Sequence, residues 1–147
     1  MKKTLFFAFC CLLFMPIAEA QLEKVLHQTF EVEGISNISL DIAGELEIVK
    51  WAGNTILAET NVQLYDASPS VMRFVLDKGR YDILANDKAD DFKIFSKNGE
   101  RATINTKQGQ VYEMIKVRIF VPEDFEIVDN TSLQRPSPDQ PVTSKND

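Results

Sequence analysis

Beyond Cys11 the chain has no cysteine, and its whole length holds a single histidine and a single tryptophan. Without later cysteines the folded part can form neither disulfides nor thiolate sites, and must hold together through its core. One histidine leaves zinc and copper short of their preferred ligands. A Ser-His-Asp triad would have to be built around His27, and no nucleophile-elbow motif surrounds any serine. Asp87, Asp90 and Asp91 offer oxygen ligands, but their spacing lacks the alternating acids and glycine of a calcium loop. The expectation is therefore no catalytic residue, no metal and no cofactor. Basic charge is also scarce: 16 Lys and Arg stand against 22 Asp and Glu, a formal net charge of −6. That balance excludes a basic nucleic-acid footprint and gives no attraction to anionic lipid headgroups.

Long apolar runs are confined to the start. Lys2 and Lys3 precede LFFAFCCLLFMPIA, and Ala18-Glu19-Ala20 supplies small residues at the −3 and −1 positions. This is the pattern of a cleaved export signal over residues 1–20, with the mature chain starting at Gln21. The run is too short to favour a membrane anchor, so no transmembrane segment is expected after cleavage. Export places the protein in the periplasm, at the outer membrane or outside a bacterium, as a secreted or cell-envelope protein. Its two lysines and one glutamate removed, the remainder is one unit more acidic.

Residues 21–129 read as one β-rich domain. In SNISLDIAGELEIVK, Ile38, Leu40, Ile42, Leu46 and Ile48 share one parity, with Glu45 and Glu47 on the other. Ala43-Gly44 marks a turn or bulge, and Trp51-Ala52-Gly53-Asn54 a second turn before TILAETNVQLY. A β-meander is the simplest connection of these strands. His27 falls on the polar face of a first strand. Asn98-Gly99 is a hairpin signal, and the spacing predicts a long strand over VYEMIKVRIFV, closed by Pro122. From residue 130 three prolines and few large apolar groups predict a disordered tail to residue 147.

ASPSVMRFVLDKGRYDI breaks the alternation and predicts one short helix. Asp66 or Ser68 can cap it, Pro69 fits its first turn, and Gly79 fits the left-handed stop. Val71, Phe74 and Val75 form an apolar stripe flanked by Met72 and Leu76. A helix this short needs a packing partner. The half-apolar strand face of Tyr112, Met114 and Phe120 is the expected recipient, so that Phe74→Ala would cost roughly 3–5 kcal/mol. The predicted fold class is thus mainly β, an antiparallel sheet, sandwich or solenoid-like scaffold with one helix on a sheet face.

Two segments carry a family resemblance. FEVEGISNISLDIAGELEIVKWAGNTILAET and VRIFVPEDFEIVD resemble secreted bacterial adhesin-like β-domains of undefined function, over about residues 30–129. The resemblance implies an all-β scaffold and carries over no catalytic residues. The Gly-containing β-repeats usual after the Val-Pro segment are replaced here by the tail. The leading expectation is a non-enzymatic envelope-associated module, adhesin-like in binding or scaffolding, with an envelope protein or glycan as partner. Trp51 is the candidate contact residue. The competing expectation is a carbohydrate-active or other envelope hydrolase using Glu45 and Glu47, since glycoside chemistry needs two carboxylates. Against it, Lys116 and Arg118 have the same spacing and could pair with them across strands. An apolar cavity between helix and sheet for a small molecule is a third possibility.

Overall fold

The computed structural model describes residues 21–86, 88 and 91–136. The predicted leader, residues 137–147, Asp87, Ala89 and Asp90 lie outside them. The chain is mainly β, with ten strands and one helix among the described residues. The strands are β1 (Leu22–Phe30), β2 (Asn37–Asp41), β3 (Glu45–Trp51), β4 (Ile56–Tyr65), β5 (Ile83–Ala85) and β6 (Phe92–Ser96). They continue as β7 (Ile104–Thr106), β8 (Gly109–Pro122), β9 (Glu126–Asp129) and β10 (Ser132–Gln134), and helix α1 spans Pro69–Asp77. One sheet runs β1-β4-β8-β3 with β7 also on β8; the other runs β5-β6-β2-β10-β9. Neither closes into a barrel.

Both sheets are mixed, because β3 lies parallel to β8 and β2 parallel to β6. The expected meander is therefore corrected. β2 and β3 are consecutive in sequence but belong to different sheets, and β4 pairs with β1 and β8. The switch between sheets occurs at Gly44, at φ +119°, where a Cβ would stand 2.8 Å from the Ile115 carbonyl oxygen. Only glycine accepts both that backbone and that approach. The Asn98-Gly99 signal closes no hairpin either, since β6 pairs with β5 and β2, and β7 with β8. Asn98 Nδ2 instead donates to the Gly79 and Arg80 carbonyls and pins this loop to the end of α1. Tight hairpins are at Thr106–Gly109, which joins β7 to β8, and at Asp129–Ser132, which joins β9 to β10.

Alternation decides which faces meet. Ile56, Ala58, Val62 and Leu64 of β4 and Val111, Ile115, Val117, Ile119 and Val121 of β8 are buried. They form one core with Ile38, Leu40, Ile83, Ile94 and Leu133 of the second sheet. At the edge, Lys24 has the parity of this core face, opposite Val62, yet is exposed. A charge pointing that way on an edge strand opposes pairing with a further strand.

Leu133 moves the predicted start of the tail. Residues 130–136 are folded: β10 pairs with β2 and β9, and Leu133 is buried. Arg135 extends the anchorage by donating to Asp124 (2.7 Å) and to the Ile35 carbonyl (2.6 Å). One apolar residue amid polar ones was enough to complete the second sheet.

Helix α1 is capped as expected. Ser68 Oγ accepts from the Val71 amide (3.4 Å), whereas Asp66 takes a positive φ before the cap. Gly79 has φ +63°, and the Gly79 and Arg80 amides donate to the Leu76 and Val75 carbonyls (2.8 and 3.1 Å), the two hydrogen bonds of a left-handed helix stop. The buried face differs from the predicted one. Met72 and Val75 enter the core with Val71 and Leu76 against it, while Phe74 is 61% exposed beneath Lys78. Tyr112 and Met114, the expected recipients, are themselves 60% and 46% exposed. The helix joins the core from the inner side of the β1-β4-β8-β3 sheet, and no described helix or strand covers that sheet's outer face.

Candidate functional site

The open face is built by the parity opposite the core. On β8 it carries Tyr112, Met114, Lys116, Arg118 and Phe120; on β3 it carries Glu45, Glu47, Val49 and Trp51. Register aligns these with β4 and β1 into rows across four strands. His27, Glu59, Arg118 and Glu47 form one row, and Val25, Asn61, Lys116 and Glu45 the next. Towards one end follow Thr29, Leu57, Phe120 and Val49; towards the other, Tyr65 lies opposite Tyr112.

The central rows are charge-paired. Arg118 Nε donates to Glu47 (2.9 Å), and its Nη1 lies 3.6 Å from Glu59. Glu59 meets His27 Nε2 at 3.2 Å, and Lys116 lies 3.2 Å from Glu45. The Glu47 hydrogen bond, before any other cause, pushes the Arg118 guanidinium up from its ordinary value. Glu45 and Glu47 are therefore neighbours of Lys116 and Arg118, the pairing their common spacing allowed. A furrow of about 260 Å³ runs along these residues with Glu59 and Asn61. Glu45, Glu47, Lys116 and Arg118 are exposed and Glu59 is half-buried, so the furrow is hydrated and open to a ligand.

Trp51 ends the face beside Phe120, ring centroids 6.0 Å apart and tilted by 55°. Its indole N–H donates to the Thr55 carbonyl (2.9 Å), which fixes the ring against its own turn. The Arg118 guanidinium stands 5.9 Å from the Phe120 centroid, linking the aromatic row to the charged one. Trp51 and the glutamates, singled out separately by sequence, thus share one surface. Sequence reasoning missed Tyr112 and Met114 as surface residues; their alternation with buried Val111 and Ile115 was the available signal.

A second polar cluster points inward. Glu113 has core parity on β8 and receives two hydrogen bonds from Arg80 (2.8 and 2.7 Å) and one from Tyr81 (2.5 Å). Burial alone would push the Glu113 carboxyl up, but the Arg80 and Tyr81 hydrogen bonds and the Arg80 charge outweigh it and lower it. Burial, followed by the Glu113 contact, raises the Tyr81 hydroxyl. With every partner supplied by the fold, this cluster ties the end of α1 to the first sheet.

Another cleft, of about 550 Å³, is lined by Glu31, Glu33, Glu123, Asp124 and Arg135. No group of three or more metal-ligating side chains occurs among the described residues, and no described helix is long and apolar enough to cross a membrane. No protein-family model, curated protein or solved structure matches the chain.

Proposed function

We propose that this chain is a non-catalytic, exported β-domain of the bacterial cell envelope that binds an envelope component through the outer face of β1-β4-β8-β3. The observation that carries this reading is the composition of that face. Its centre holds paired charges, the exposed Tyr112 ring stands at one end, and the half-buried Trp51 and Phe120 rings stand at the other. Exposed aromatics rimmed by polar groups mark contact surfaces, because they offer rigid apolar area at low entropic cost. The export-signal pattern of residues 1–20 and the resemblance to adhesin-like β-domains support the same reading.

The test is co-sedimentation of the mature protein with isolated bacterial envelopes. Wild type and Phe74→Ala are expected in the pellet, and Tyr112→Ala and Arg118→Ala in the supernatant. Equal sedimentation of all four would remove the outer face from the function.

A further inference from the structure

We infer that the ligand of this outer face is a linear, uncharged polysaccharide chain lying along β8. This rests on the reading of that face as the contact surface. The charges of the two central rows already pair with one another: Glu45 with Lys116, and Glu47 and Glu59 with Arg118, while the His27 ring lies against Glu59. An anionic ligand would have to displace a carboxylate from Lys116 or Arg118. A polyanion would also meet three carboxylates against two permanent cations in those rows.

A protein surface is a poorer complement. Covering these groups would desolvate several ion pairs at the centre of the contact, where interfaces are depleted of charge. Sugar hydroxyls both donate and accept. They can use the spare carboxylate lone pairs of Glu45, Glu47 and Glu59 and the remaining N–H groups of Arg118 and Lys116 without separating the pairs.

The aromatic ends set the length. Tyr112 and Phe120 are eight residues apart on one strand, about 26 Å at the ~3.3 Å rise per residue. Their rings, with Tyr65 and Trp51 beside them, provide apolar surface for the carbon faces of sugar rings at two separated points. A mono- or disaccharide reaches one point only; an extended chain reaches both.

The only tryptophan stands at one end, so its fluorescence reports on the face. The mature protein is titrated with N-acetylglucosamine hexasaccharide, β-1,4-glucose hexasaccharide, hexagalacturonate and the corresponding disaccharides. At least one neutral hexasaccharide is expected to shift Trp51 emission saturably, and to bind at least about tenfold tighter than its disaccharide. Tyr112→Ala, at an exposed site that leaves the core intact, is expected to remove about fivefold or more of the hexasaccharide affinity and to shrink the ratio of hexasaccharide to disaccharide affinity. Tighter binding of hexagalacturonate, a hexasaccharide no tighter than its disaccharide, or no response to any sugar would each overturn the inference. Envelope co-sedimentation separates the two levels. If it depends on Tyr112 and is abolished by protease treatment of the envelopes, the contact face stands and the glycan falls. If it does not depend on Tyr112, both fall.

Discussion

Gln28 and Ile83 join the two sheets through a pair of hydrogen bonds. The Gln28 side-chain amide donates to the Ile83 carbonyl (2.8 Å) and accepts from the Ile83 amide (2.7 Å). A side chain of β1 thus occupies the place of a neighbouring strand for β5, and satisfies backbone groups at the margin of the core. Gln28→Ala leaves both groups without partners and is expected to cost about 1–3 kcal/mol. Urea unfolding of the two proteins checks this, and a midpoint shift equivalent to less than about 0.5 kcal/mol would show that water replaces the glutamine.

Helix α1 should respond to substitution in the reverse of its sequence-based order. Met72→Ala is expected to cost about 2–5 kcal/mol as a buried side chain. Phe74→Ala should cost no more than about 1 kcal/mol, the scale of its exposed contact with Lys78. Thermal unfolding of both variants ranks them, and a larger loss at Phe74 would place that ring against a partner surface.

Gly44 tests the sheet switch. Gly44→Ala places a methyl against the Ile115 carbonyl at a φ that L-residues avoid, so it is expected to destabilise by more than about 1 kcal/mol. Equilibrium unfolding measures it; an unchanged midpoint would mean that the corner between β2 and β3 yields.

Glu113 gives the fold an acid limb. Its folded carboxyl titrates below its unfolded counterpart, so the stability it contributes is complete above the ordinary carboxylate value of 4.5. That contribution is lost as the pH falls through the folded value. Tyr81 acts in the opposite direction: its hydroxyl is raised, and its contribution is lost as the pH rises above the ordinary value of 10.0. Unfolding followed from pH 7 to pH 3 is expected to show Glu113→Gln less stable at neutrality, with the gap to wild type closing on the acid side. A gap independent of pH would assign Glu113 no linked proton.

Local features of this fold were legible in the sequence because they depend on neighbours in the chain. Alternation located β1, β4 and β8, and Ser68 and Gly79 marked the ends of α1. The shared spacing of Glu45 and Glu47 with Lys116 and Arg118 even allowed the central rows of the face. Strand neighbours were not legible. The parallel pairing of β3 with β8 joins residues 71 apart, and Gly44 looks like any turn until Ile115 is placed beside it. The burial of Met72 and Val75 over Phe74 likewise depends on where the core lies around a helix with apolar residues on more than one stripe.

The two carboxylates separate binding from hydrolysis. The double variant Glu45→Gln, Glu47→Gln is expected to keep its fold and to weaken envelope binding, with no hydrolysis of envelope glycans by either protein. Release of reducing ends by wild type, abolished in the double variant, would make the face an active site.

Hydroxyl-radical footprinting with and without isolated envelopes probes the outer face itself, because Trp51, Tyr112 and Met114 are all oxidisable and stand at its two ends. Protection of all three is expected if this face binds the envelope, with Phe74 on α1 oxidised equally in both samples. Protection confined to Phe74, with the three unchanged, would contradict binding by this face.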